Sequence, residues 1–255
     1  MPLCIGEMEY NMRNIKLTVQ YDGTNYHGWQ IQENAVTVQE VIENSLKKLT
    51  GIKPRVSGCG RTDTGVHAQN YVCSFKSEST IPCDRFPYAL NRFLPEDVVC
   101  KKAEDMDPEF DAHKSAVGKT YSYLILNSQY SDVFYNNRAW HYRYKLDFDK
   151  MKKASEFFCG THDFIGFAAS GFTVKTTVRT IHHINMEKKD DLIKIDICGN
   201  GFLYNMVRII TGTLVFVGNG KIDVNDIPDI VESKDRKRAG ITAPACGLYL
   251  SEVYY

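Results

Sequence analysis

Residues 58–65 read Gly58-Cys59-Gly60-Arg61-Thr62-Asp63-Thr64-Gly65, GCGRTDTG. Glycine loses the most backbone entropy on folding, so three in eight positions point to positive φ or to a group packed close against the chain. A single carboxylate, Asp63, stands two residues from Arg61, and a nearby guanidinium favours the ionised form that a nucleophile requires. From its own composition the segment is equally an ordinary surface turn with a solvated ion pair.

Working outward, strand-like segments at 55–57 and 71–75 flank the turn, which puts Asp63 on a loop held by a rigid frame. Upstream, 15–20 alternates apolar and polar side chains and ends at the turn signal Asp22-Gly23. Thr37 and Glu40 have the spacing of a capping box. Val38, Val41, Ile42, Leu46 and Leu49 then recur at helical spacing, and Gly51 stops the helix. Downstream, a helix is predicted at 84–93 and a strand at 98–102, separated by Pro95.

A similar order begins again near Phe110. The pattern predicts a strand at 121–126, a helix at 147–158, strands at 181–186 and 192–197, a buried helix at 202–217, a short helix at 224–232 and a closing strand at 248–253. Strands and helices mixed without strict alternation favour an α+β fold with a largely antiparallel sheet, built from two β-α-β-type halves. The expected organisation is a flexible extension at 1–13, an α+β half at 14–108 carrying the glycine turn, and a second α+β half at 109–255. Met12 is as good a start as Met1.

Thirty-one basic and 31 acidic side chains balance in 255 residues, which argues against coating nucleic acid through bulk charge. A local basic cleft is still open to it, because phosphates feel the nearby field. The densest basic run, KDRKR at 234–238, reads as solvated surface when taken alone. No apolar run is long enough to span a bilayer, and the composition is that of a soluble globular chain. The eight cysteines form no CxxC pair and no zinc-ligand spacing, so reduced thiols in the cytoplasm are expected. His162-Asp163 and His182-His183 have no third ligand at readable spacing and are expected to be structural.

GRTDTGVHA (60–68) closely resembles the signature of the TruA family of tRNA pseudouridine synthases, and four more segments resemble family motifs in the right order. They are YDGTNYHGWQ (21–30), KTYSY (119–123), FLYNMVR (202–208) and APACGLYL (243–250). Five ordered matches, covering nearly everything from Asn14 to Tyr255, are far more specific than one glycine-flanked aspartate. Thr64 stands where the family usually has alanine, and a small side chain is retained.

The resemblance implies an isomerase that turns uridine into pseudouridine in the tRNA anticodon stem-loop, at positions 38–40, with no metal or cofactor. It implies the pseudouridine synthase fold: two RRM-like α+β halves joined in one largely antiparallel sheet, with a central cleft. It also implies a homodimer in the cytoplasm with no membrane attachment. Asp63 takes the place of the catalytic nucleophile. Arg208 is implied to pair with it, Tyr121 to stack on the uracil, Leu248 to form an apolar floor, and Arg61 to contact RNA.

Read without the resemblance, Arg208 is the wet face of an apolar helix, and Tyr121 and Leu248 are core residues. Tyr26, His27, Trp29 and Gln30 are either loop packing or an RNA contact surface, and His67, Lys119, Arg179, Arg236 and Arg238 are candidate cleft residues. Two rival functions remain: an RNA-binding module on the same fold without catalysis, and a nucleotide hydrolase using the glycine loop. The loop lacks the GK[ST] ending that the second would need.

Overall fold

The computed structural model describes residues 12–171 and 174–255. The extension expected at 1–13 therefore lies almost wholly outside the described residues. Arg13 is already part of the first strand, its guanidinium tied to Asp105 and to the Ser79 and Ile81 carbonyls.

In chain order the elements are β1 Arg13–Tyr21, α1 Val38–Thr50, β2 Ser57–Gly58, β3 His67–Ser77, α2 Phe86–Asn91 and β4 Val98–Met106. The second set is β5 Gly118–Leu126, β6 Trp140–His141, α3 Phe148–Glu156, β7 Gly160–Asp163, β8 Val178–Lys189, β9 Leu192–Gly199, α4 Met206–Gly218, α5 Ile227–Ser233 and β10 Leu248–Tyr254. The strands form one ten-stranded sheet whose main path runs β4-β1-β3-β10-β5-β9-β8-β7. Neighbours on that path are antiparallel except β3 and β10, which are parallel through Tyr249↔His67 and Leu250↔Ala68. This is an α+β fold with a largely antiparallel sheet.

Alternation in β1 buries Ile15, Leu17 and Val19, opposite Phe75, Cys73 and Tyr71 of β3. Helices α1 and α2 cover that face with Val38, Ile42, Leu46, Phe86 and Leu90, giving one hydrophobic cluster. A second cluster joins Tyr123 and Ile125 of β5 and Ile193, Ile195 and Ile197 of β9 to apolar side chains of α3 and α4. Strand β10 serves both: Leu248 enters the second cluster, Leu250 and Val253 the first.

Three local expectations are corrected. Thr37 is the N-cap residue of α1, but its hydroxyl makes no cap bond and is buried without a partner. The first-turn amides are instead satisfied by backbone, Val38 N–H donating to the Gly28 carbonyl and Gln39 N–H to that of Trp29. The strand predicted at 55–57 is reduced to the two residues of β2, paired with Ser74 and Cys73. The buried helix starts at Met206 rather than 202 because Asn205 sits at φ +60°, in the left-handed region that asparagine tolerates. Gly51, by contrast, ends α1 as predicted, at φ +82° with its N–H on the Lys47 carbonyl.

Candidate active site

The loop 59–66 that carries Asp63 leaves β2 and returns into β3. Segments distant in sequence hold it from every side. Trp29 N–H donates to the Thr62 carbonyl, Gly65 N–H to that of Tyr26, and the buried hydroxyls of Tyr21 and Thr62 are hydrogen-bonded at 2.9 Å. Val66, at the end of the loop, is 1% exposed and sits in the cluster of the C-terminal elements rather than in its own. A loop fixed by backbone bonds on one side and by apolar burial on the other keeps its side chains in place.

The glycines act in two ways. Gly65 has φ +77°, the positive value read from the sequence. Gly60 does not; there the missing side chain makes room, since a Cβ would lie 2.7 Å from Nζ of Lys119.

Asp63 meets Arg208 of α4, with Nη1 3.3 Å from Oδ2. Their side chains are 28% and 16% exposed, so the pair is partly dry. The Arg208 Nε donates to the Ala243 carbonyl at 2.7 Å, and Nη1 also donates to Oδ1 of Asn205 at 2.7 Å. Burial lifts the Asp63 carboxyl above the ordinary aspartate range, and the Arg208 charge and hydrogen bond pull it only part of the way back. Arg61, the neighbour in sequence, is exposed and is not the counter-ion.

The pair opens into a cleft of about 1370 Å³ that Arg61, Tyr121 and Leu248 also line. Tyr121 presents a half-buried ring, edge-on to Phe202 with centroids 5.2 Å apart. Burial, with lesser repulsion from Cys59 and Asp63, pushes its hydroxyl well above the usual tyrosine range, so the phenol stays protonated at neutral pH. Leu248 is buried beside it. Four basic side chains, Arg55, Arg61, Lys119 and Arg208, face two carboxylates in this cleft. A chain with no net charge thus concentrates positive potential where an anion can enter.

Most of the other candidates lie outside the cleft. Tyr26 and Trp29 are buried, Trp29 stacked on Tyr71 at 4.0 Å, although an edge of Trp29 and the Gln30 side chain reach the cleft. His67 is buried at the junction of β3 and β10: Nδ1 accepts from Gly23 N–H at 3.0 Å, and Nε2 lies 3.2 Å from the Cys246 carbonyl. Arg179 donates to the Thr176 and Val178 carbonyls. Three of the four basic side chains of the run are engaged within the protein, Lys234 on Asp163, Arg236 on the Gly240 carbonyl and Thr242, and Arg238 on the Asp229 carbonyl, while Lys237 is exposed. His162 Nε2 lies 3.0 Å from the Cys159 carbonyl. Sequence reading missed Arg55, which no local pattern marks; Asn205 and the Ala243 carbonyl, which orient Arg208, lie within the FLYNMVR and APACGLYL segments, but nothing in those segments signals that role.

The model of the tRNA pseudouridine synthase family matches residues 17–113 and 154–255. Among curated relatives, tRNA pseudouridine synthase A of Acetivibrio thermocellus is 55% identical over 244 residues, covering 96% of this chain and all of that protein. Its namesake in Ruminiclostridium cellulolyticum is 53% identical over 245 residues, and that of Thermoanaerobacter sp. 51% over 244, with the same coverage of both chains. The five motif segments that these similarities span are those that fold around one carboxylate. The chain belongs to the TruA family of tRNA pseudouridine synthases and is an isomerase that converts uridine to pseudouridine.

Proposed function

We propose that this chain acts on uridines 38–40 of the tRNA anticodon stem-loop, with Asp63 as the nucleophile and without metal or cofactor. The observation that carries this reading is the Asp63–Arg208 pair, 3.3 Å apart inside a cleft of positive potential. The glycosidic bond between N1 and C1′ breaks, the base turns, and a bond from C5 to C1′ forms. The C5 proton leaves to solvent and N1 takes one up, so the reaction balances without an oxidant. Attack on C1′, attack on the ring and removal of a ribose proton all start from an ionised carboxylate, which Arg208 favours.

Tyr121 stacks on the uracil, and its hydroxyl can relay the departing C5 proton toward solvent, passing on its own proton as it takes that one up. Leu248 closes the pocket under the base, and Arg61 holds the flipped nucleotide or its phosphate from the solvent side. Action as a homodimer in the cytoplasm rests on the family resemblance alone, and light scattering of the purified protein reads the first of these.

The test uses tRNA carrying uridine tritiated at C5. Release of tritium to water is expected from the wild-type protein. Absence of release under conditions where the tRNA binds would overturn the assignment.

A further inference from the structure

Lys119 is the one basic side chain of the cleft that is both largely withdrawn from water and unmatched. It lies on β5 two residues before Tyr121, so alternation turns both side chains to the same face. Its amine sits over the Cα of Gly60, in the space a side chain there would occupy. Among the described residues no carboxylate comes within 4 Å of Nζ, and no protein group accepts a hydrogen bond from it. The surroundings explain why: its cross-strand partners are Val253 of β10 and Gly199 of β9, neither of them acidic, and the titratable group whose charge acts on it is the buried Cys59 thiol. Asp111, the other acid of the cleft, is already occupied by the Ser57 hydroxyl and by the His113 and Lys114 amides.

Arg208 differs in having Asp63, Asn205 and the Ala243 carbonyl. Arg55 and Arg61 differ in being exposed, where water solvates them. A partly buried ammonium with no partner is costly, and such a cost persists where a ligand supplies the missing anion. Burial lowers the Lys119 pKa, in keeping with an amine that has lost water and gained no protein anion.

We propose that Lys119 receives a phosphodiester oxygen of the substrate RNA, at a linkage adjoining the nucleotide whose base meets Tyr121. This rests on the reading of the cleft as the uridine site. The alternation on β5 would place sugar-phosphate and base on consecutive same-face side chains. A compact ammonium with three donors suits a single phosphate oxygen. Gly60 is then constrained from two directions, as part of the nucleophile's loop and as the space in which the amine rests.

The experiment measures binding of an anticodon stem-loop RNA to wild-type, Lys119→Met and Lys119→Gln proteins across a salt series. Each RNA is used native and with one flanking linkage at a time replaced by an uncharged methylphosphonate. Both variants are expected to bind native RNA about tenfold more weakly, with a salt slope shallower by about one. The loss should disappear on the RNA whose contacted linkage is neutral. Melting temperatures of the variants should equal or exceed wild type, because an unpaired buried charge has been removed.

Unchanged binding by both variants would overturn the proposal. So would a loss that persists undiminished on every substituted RNA, since the amine would then meet base or sugar. Binding is read independently of turnover, so tritium release by the wild-type protein tests the isomerase assignment separately.

Discussion

Arg208 is fixed before it reaches Asp63: Nε is held by the Ala243 carbonyl and Nη1 by Asn205, leaving Oδ2 of the carboxylate 3.3 Å from Nη1. The counter-ion is thus oriented by its own half of the molecule, and the carboxylate is brought to it. Raising of the Asp63 pKa by burial despite that counter-ion gives the pair a measurable cost as well as a function.

Asp63→Asn should abolish pseudouridine formation while leaving tRNA affinity nearly unchanged, since a carboxylate adds little attraction to phosphate. It should also stabilise the protein at neutral pH. A carboxyl whose folded pKa is raised binds its proton more readily when folded, so stability is lost as pH rises from the unfolded aspartate value through the folded one. The melting difference between variant and wild type should be full at neutral pH and vanish below about pH 4. Calorimetry across pH reads it, and a variant less stable than wild type at pH 7 would contradict the raised pKa.

Replacing Arg208 by methionine removes the influence that pulls the carboxyl downward and leaves burial unopposed. The acid limb of the kcat profile should move upward by about 1–3 pH units. Arg208→Lys keeps the charge but not the fork that grips Asn205 and Ala243, and should shift the limb less. Single-turnover rates between pH 5 and 9 distinguish these outcomes from a uniform loss of activity.

Tyr121→Leu removes the ring proposed to stack on the base and should cost about 1–3 kcal/mol in kcat/KM. Tyr121→Phe keeps the ring, so most binding should survive. If Tyr121→Phe loses turnover as severely as Tyr121→Leu, the hydroxyl itself takes part in the chemistry. Comparing KM with kcat for the two variants separates stacking from proton transfer.

Val66→Ala opens a hole in the C-terminal cluster where the Asp63 loop is anchored, and should destabilise by about 2 kcal/mol. Its turnover at temperatures where the protein is fully folded should fall too, because loosening the anchor lets the carboxylate drift from Arg208. Full wild-type turnover would mean that the backbone bonds of Tyr26 and Trp29 suffice to place the loop.

Arg236→Ala removes donors to the Gly240 carbonyl and Thr242, so it should lower the melting temperature. The salt slope of tRNA binding should not move, since this guanidinium is committed within the protein and lies outside the cleft. A shallower slope would return the basic run to the RNA surface.

What was legible in the sequence followed the range of the interaction. Helix α1 and its end at Gly51 are written in adjacent residues, as is the alternation of β1. The failed capping box at Thr37 depended on the Gly28 and Trp29 carbonyls arriving from a loop that carries no pattern of its own. Strand β6 is two residues long and leaves no period to read. The Asp63–Arg208 pair spans 145 positions and was reached only through the family resemblance, while local reading favoured Arg61. The parallel seam between β3 and β10 was hidden for the same reason, because each strand alone looks like any other.

That seam has a consequence for synthesis. With residues up to about 200 outside the ribosome, β1, β3 and β4 can pair, as can β5, β8 and β9, but β3 and β5 each still present an unpaired edge where β10 will lie. Open edges of this kind invite pairing with other chains. A nascent chain halted before residue 248 therefore lacks Leu248 in its cleft and leaves two strand edges open. The cleft is complete only once β10 lies between them and closes both edges at once.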